Sequence, residues 1–392
     1  MKVNLGLAAH NSADWDRFQA RQFDRPAATP DHECVDGMLA LGHLAEPLGF
    51  DGIWAADHCG TPYGMTPNPL QLLTYFAART ERLRLGSMVL VLPWWHPVRL
   101  AHQIAYLDIV SKGRYDTIGV GRGVSKTEFD AVGVPREEAR DRYAETLDIL
   151  ELALTRERFA YEGKIFRIPE MSLRPQPRSR DLISRLYSGS SSGPSIELNA
   201  RRGLKPLFVG NKPIAEAGKE VQKVNTFRQE VGLPPCQPKN VLFMYCTPTM
   251  AQATKSEQYI AAANRDVSVH YGFGDPANFA GVKGYESYAE RKAYATAVDA
   301  AAVSTGKASA SPGYDQSNLM IGTPEVIIER IAASQKACSF SEITVIPQFG
   351  TMPWDEAQQS ATLFAREVLP VVHTMDAPLH AAVLPDPQIR RA

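Results

Sequence analysis

The chain has 392 residues, with 42 Lys and Arg against 43 Asp and Glu. So even a balance excludes the broad positive field that recruits nucleic acid or an anionic membrane. Five scattered cysteines without a Cys-x-x-Cys pair exclude a disulfide framework and a structural zinc, and no apolar run reaches the ~20 residues that span a bilayer.

The first residues, Met-Lys-Val-Asn-Leu-Gly-Leu, lack the length and cleavage site of a secretory signal, so a cytoplasmic protein is expected. Val3–Ala8 reads as a first strand that ends on His10 and Asn11. Apolar residues at helical spacing from Cys34 to Leu48 predict a helix that stops at Gly49. Gly52–Ala55 is a second strand. Asn68 and Pro69 supply an N-cap and a first-turn proline for a helix running to about Arg79. Leu83–Leu92 is a third strand, Pro97 to about Val110 a helix, Tyr115–Val120 a fourth strand, and Arg136–Arg156 a long amphipathic helix. The proline-rich stretch Arg167–Arg180 reads as an irregular surface connection. Arg185–Ser190 is a fifth strand, followed by a helix from about Pro194 to Arg202. Pro206–Val209 is a sixth strand and Asn240–Cys246 a seventh. Gly272–Gln316 shows no strand periodicity and reads as a long insertion. Ile343–Pro347 is an eighth strand and Asp355–Leu369 a closing helix. This alternation predicts parallel βα units and an α/β chain, a (β/α)8 barrel. Residues 1–375 are assigned to one barrel domain with an insertion at about 272–318. Residues 376–392 carry Pro378, Pro385 and Pro387 and are expected to form a poorly ordered tail.

Reactive residues gather where these strands end, the face on which barrels build their sites. His58 follows the second strand, with Asp57 beside it to orient the ring, and histidine can hold or take a proton near neutral pH. His10 follows the first strand. Each of these also fits a loop residue with a structural role. The run Arg185 to Ser195 carries a strand into serines and glycines and opens a helix at Pro194, which suits a phosphate. Arg122, at the end of the fourth strand, can add a guanidinium fork. The same serine run also fits a flexible loop. There is no His-Glu-x-x-His, Walker loop or nucleophile elbow, and His96 and His102 lack a third ligand, so no metal is expected.

Several short motifs stand in order along the chain. They are Gly49-Phe50-Asp51-Gly52-Ile53-Trp54, Asp57-His58, Asn68-Pro69, Leu92-Pro93 with His96-Pro97, Leu107-Asp108 with Ser111-Lys112-Gly113-Arg114, and Gly121-Arg122-Gly123. With Ile321-Gly322-Thr323-Pro324-Glu325, this ordered set resembles the bacterial luciferase superfamily of flavin-dependent monooxygenases. The likeness is nearest to luciferase alpha subunits and type II Baeyer–Villiger oxygenases. It is dense from Val3 to about Gly210 and weak between Asn211 and Asn318.

The resemblance implies a luciferase-like TIM barrel with the insertion before the eighth strand. It implies a two-component monooxygenase that receives reduced FMN from a separate flavin reductase. With O2 this forms a C4a-(hydro)peroxyflavin that oxygenates a small organic substrate. By position, Arg122, Ser191, Ser192 and Ser195 would hold the flavin phosphate. Ser87 and Met88, with Val89, would form a bulge with a non-proline cis peptide against the flavin ring. Gly121 stands where luciferase has a reactive cysteine and would open space there. His58 would manage protons, with Asp57 and His10 as companions. Cys59 replaces a second luciferase histidine, so light emission is not implied. A homodimer through Asn68–Arg79 and Pro97–Val110 is implied as well. Two rivals remain open: an F420-dependent hydride-transfer oxidoreductase and a non-catalytic flavin-binding protein.

Overall fold

Short runs of aliphatic residues form strands because their side chains find apolar cover on both faces, inside a barrel and under a ring of helices. A computed structural model describes residues 1–190, 193–210, 212–273, 275–286, 288 and 316–385. In chain order the strands are β1 (Lys2–Leu7), β2 (Gly52–Ala55), β3 (Arg84–Val91), β4 (Tyr115–Gly121), β5 (Phe159–Glu162), β6 (Arg167–Met171), β7 (Leu186–Ser188), β8 (Lys205–Phe208), β9 (Lys239–Cys246), β10 (Leu319–Gly322) and β11 (Glu342–Ile346). All but β5, β6 and β10 form a closed parallel barrel, in which β8 pairs with β9, β9 with β11, and β11 back onto β1. The architecture is the expected (β/α)8 TIM barrel, and each of the eight expected strands has its counterpart.

Two layers of core result. Trp54, Met88, Leu207, Val241, Phe243 and Ile346 belong to a cluster inside the barrel. A larger cluster, including Leu5, Ile53, Leu85 and Ile343, lies between strands and helices. The amino-terminal end of the barrel is closed by charge. Lys239 Nζ donates to Thr117 Oγ1 at 2.5 Å and pairs with Glu342 at 3.1 Å, and Glu342 also accepts from Asn4 at 2.7 Å. Buried charges are tolerated when paired in this way. The carboxyl end is left to the site.

The helix Pro69–Arg79 begins as expected, with the Asn68 side chain accepting from the Gln71 N–H at 3.1 Å. Three expectations need correction. Arg167–Met171 is not irregular: it is β6, antiparallel to β5. Pro169 falls where that ladder shifts register, so its missing N–H breaks no required bond. Strand β10 was not foreseen and pairs with β9 on the outside of the barrel. The described part of the tail, residues 376–385, is packed down rather than loose, because Val383 is buried and its carbonyl accepts from Asn225 at 2.8 Å. Most of the expected insertion, 289–315, lies outside the described residues. Among the described residues, no helix is long and apolar enough to cross a membrane.

Candidate active site

A cavity of about 420 Å³ opens at the carboxyl ends of the barrel strands. His10 enters it from beyond β1, His58 from beyond β2, Met88 and Val89 from β3, and Gly121 and Arg122 from β4. Gly189, Ser190 and Ser195 line it beyond β7.

His58 is held by a partner the sequence did not announce. Its Nδ1 lies 2.9 Å from Glu128 Oε1, and the same oxygen accepts from the Cys59 N–H at 3.1 Å. Burial pushes the Glu128 carboxyl up, but its neighbours His58 and His270 outweigh it and hold it at about 2. A carboxylate only accepts, so Nδ1 carries a hydrogen toward it and Nε2 is turned to the cavity side. Nε2 meets the Tyr271 hydroxyl at 3.5 Å, long for a hydrogen bond. On the other side, Glu128 Oε2 lies 3.2 Å from His270 Nε2 without the alignment of a hydrogen bond. His270 Nδ1 pairs with Thr61 at 2.8 Å, and burial pushes the His270 pKa down. The nitrogens of His58 and His270 and a Glu128 oxygen lie within 4.8 Å of one another, a set with metal-ligand chemistry that the sequence reading had not found.

Asp57 does not orient His58. Its Oδ2 accepts from the Val91 N–H at 3.0 Å and the Trp95 indole at 2.8 Å, fixing the end of β3 instead. Burial pushes its carboxyl up to about 7. His10 lines the cavity beside Tyr63, with Nδ1 accepting from the Gly64 N–H at 3.0 Å, and burial pushes its pKa down to about 3.

β3 breaks register with β4 between Ser87 and Leu90, and the Met88–Val89 peptide is cis. Met88 and Val89 line the cavity, whereas Ser87 is turned away, bonded to Tyr115 and the Gly119 carbonyl. Gly121 makes room for the bulge: a Cβ there would stand 2.5 Å from Val89 Cγ2.

Arg122 also lines the cavity: its Nη2 donates to the Gly284 carbonyl at 2.5 Å, and the guanidinium lies 4.4 Å from the Tyr285 ring. Its Nη1 is buried without a hydrogen-bond partner among the described residues. Ser195 lies in the first turn of the helix Gly193–Arg201. Ser191 and Ser192 lie outside the described residues. The turn is fixed by Asn199, whose Nδ2 donates to Ser188 and Ser190, each at 2.8 Å.

The sequence reading thus missed Glu128, His270, Tyr271 and Asn199. A lone Glu in a short helix carries no motif. His270-Tyr271 before Gly272, a helix end, was the one signal available.

The fold and the site together define a parallel-barrel protein whose strand ends surround a cofactor-sized cavity, lined by a histidine–carboxylate pair, an arginine and a serine turn. The model of the luciferase-like monooxygenase family matches residues 18–339, and the chain belongs to that family. The alkanal monooxygenase alpha chain of Photobacterium leiognathi is 26% identical over 57% of this chain and 62% of its own length. The oxygenase component of the flavin-dependent trigonelline monooxygenase of Acinetobacter baylyi is 31% identical over 37% of this chain and 40% of its own. The chain therefore spans between two fifths and two thirds of the length of these curated relatives. Among solved structures, the monooxygenase RslO1 of Streptomyces bottropensis has a TM-score of 0.72 at 22% identity, covering 95% of this chain and 100% of that one. The oxygenating constituent of 3,6-diketocamphane monooxygenase from Pseudomonas putida, a type II Baeyer–Villiger enzyme in complex with FMN, has a TM-score of 0.66 at 20% identity, covering 96% and 100%.

Proposed function

We propose that this protein is the oxygenase component of a two-component, FMN-dependent monooxygenase acting on a small organic substrate in the cytoplasm. The observation that carries the reading is the His58–Glu128 pair at the same cavity as Arg122 and the serine turn. The cavity volume, an Arg122 Nη1 without a partner among the described residues, and the donor chemistry of the turn fit a flavin mononucleotide. Arg122 and Ser195, with Ser191 and Ser192, would hold its phosphate, and Met88 and Val89 would back its ring. When bound and reduced, the flavin supplies the activation of O2.

The chain's own part is positional and electrostatic. Glu128 fixes the His58 ring, and His58 Nε2 holds or takes a proton at the substrate. The aliphatic strand ends and the aromatic residues beside them exclude water. Relatives and solved neighbours named as flavin-dependent monooxygenases or carrying FMN support this reading. An F420-dependent secondary alcohol dehydrogenase shares the barrel at a TM-score of 0.64 and 14% identity, so the test must separate the two chemistries. With NADH, FMN and a flavin reductase, the protein should consume O2 and place 18O from 18O2 in a product. Hydride transfer from reduced F420 without oxygen uptake would overturn the reading. A homodimer is part of the proposal: Tyr106 and Val110 are exposed on the helix Pro97–Val110.

A further inference from the structure

We propose that His58, Glu128 and His270 form a site for one divalent transition ion of borderline softness, with Zn2+ as its type. The inference goes beyond the oxygenase reading and does not depend on it.

Three separate segments bring the donors together. His58 follows β2, Glu128 lies in the helix Lys126–Ala131, and His270 lies in the last turn of the helix Ser256–Tyr271. The Ser125 hydroxyl donates to the His270 carbonyl at 2.7 Å, which fastens the second segment to the third. The nitrogens of the two histidines and a Glu128 oxygen lie within 4.8 Å of one another. Donors bound at about 2.0–2.2 Å to one tetrahedral ion stand roughly 3.3–3.5 Å apart. His58 Nδ1, at 2.9 Å from one Glu128 oxygen, and His270 Nε2, at 3.2 Å from the other, are already near that spacing.

Hydrogen bonding among the three side chains accounts for only part of this arrangement. His58 Nδ1 is aligned on Glu128. His270 Nε2 is not: its side chain is fully buried, and the atom has no hydrogen-bond partner among the described residues. A buried polar atom left in this state is costly, and an ion held between the three side chains satisfies it. Charge points the same way. The Glu128 side chain is 1% exposed, and among the described residues its ion-pair partners are the two histidines, with no Lys or Arg. Buried charges are paired or coordinate metals.

The surroundings hold the rings in place for this. His270 Nδ1 pairs with Thr61 Oγ1 at 2.8 Å, and that oxygen also accepts from the Tyr63 N–H at 3.2 Å, so the ring keeps Nε2 toward Glu128. Metal-binding histidines are oriented through their other nitrogen in this way. Two imidazoles and a carboxylate suit Zn2+ and its neighbours over Mg2+ or Ca2+, which prefer oxygen ligands throughout. Cys59 presents its N–H to Glu128, so the set is nitrogen and oxygen. Three protein ligands leave a coordination position open. His58 and Glu128 line the cavity, so that position is reached from it.

The test is calorimetric titration of the flavin-free full chain, stripped with EDTA and desalted, with Zn2+, and a parallel titration with Co2+ followed by visible absorption. One ion should bind per chain, with Co2+ d–d bands and no thiolate charge-transfer band. His270→Ala or His58→Ala should weaken binding at least about a hundredfold. Glu128→Gln, which keeps shape and removes charge, should do the same and serves if a histidine variant does not fold. Thr61→Val, which removes only the anchor of the His270 ring, should cost about ten- to hundredfold. Zn2+ at about a hundred times its Kd should raise the Tm of the wild type and leave that of Glu128→Gln unchanged. Equal affinity for Mg2+ overturns the proposal, as does a thiolate band or the lack of saturable binding at one ion per chain. So does Zn2+ affinity that is unchanged in His270→Ala and Glu128→Gln. None of these readouts uses flavin or substrate, so the oxygenase reading can fail on oxygen uptake while the metal site stands, and the reverse.

Discussion

Glu128 Oε1 takes two donors, His58 Nδ1 and the Cys59 N–H, and the result is a histidine with a fixed ring orientation facing a cavity. Replacing His58 with Ala should cost about 10²–10⁴ in oxygenation rate while FMN still binds. Product per reduced flavin should fall and hydrogen peroxide should rise. Full coupling in the variant would make His58 structural, with His10 as the next candidate. Arg122 lines the same cavity. Arg122→Ala removes a charge-assisted bond worth about 1.5–3 kcal/mol, so FMN affinity should drop roughly ten- to hundredfold in a folded protein. A fluorescence titration checks it, and unchanged affinity would move the phosphate elsewhere.

Asp57 makes a different prediction, about pH. Its folded pKa is raised by burial to about 7, from an ordinary value of 3.8. The folded state therefore holds the extra proton, and this group's stabilisation is complete below about pH 4 and lost as pH rises to about 7. His10, pushed down to about 3, acts in the opposite sense, so stability rises with pH between about 3 and 6.5. The two offset each other across the shared range. In Asp57→Asn only the rising contribution of the pair remains, and Tm should climb more steeply from pH 4 to 7 than in the wild type. Parallel Tm profiles would show that Asp57 ionises in the fold as it does in the unfolded chain.

At the scale of elements, the end of β3 shows how a neighbour licenses a local break. Val89 can turn into the cavity because Gly121, on β4, has no side chain to meet it. Gly121→Ala puts a methyl 2.5 Å from Val89 Cγ2. Overpacking of this kind costs typically 1–3 kcal/mol. Denaturant unfolding should show that loss, and FMN binding should weaken with it as the bulge shifts. Wild-type stability together with wild-type FMN affinity would mean that Val89 moves aside freely. The serine turn after β7 follows the same logic: Asn199, from within the following helix, ties Ser188 to Ser190, a bond invisible to a reading of the turn alone.

For the whole molecule, the barrel is closed by charge at one end and opens to the site at the other, and its helices form the surface. Tyr106 stands 57% exposed on the helix Pro97–Val110, an unusual place for a large ring unless a partner covers it. Sedimentation should find a dimer, and Tyr106→Arg should shift it toward monomer without lowering Tm by more than a few degrees. A monomeric wild type would remove the dimer from the proposal.

The eight barrel strands were legible because each is a short run bounded by turn chemistry, and burial on both faces demands continuous apolarity. His58, His10, Arg122 and Ser195 were legible for a related reason: they follow strands directly, so chain order alone carries them to the carboxyl face. Glu128, His270 and Tyr271 were not, because nothing local marks a residue whose partner lies 70 or 213 positions away. The same limit misassigned Asp57: adjacency in sequence suggested a pairing with His58, whereas β2 and β3, side by side, bring it to Val91 and Trp95. Sequence by itself determined which elements form and which face bears the chemistry, since both follow from local pattern and chain direction. Tertiary structure alone decided which carboxylate orients the histidine and what lines the cavity opposite the strands, because those choices depend on packing between segments far apart in the chain.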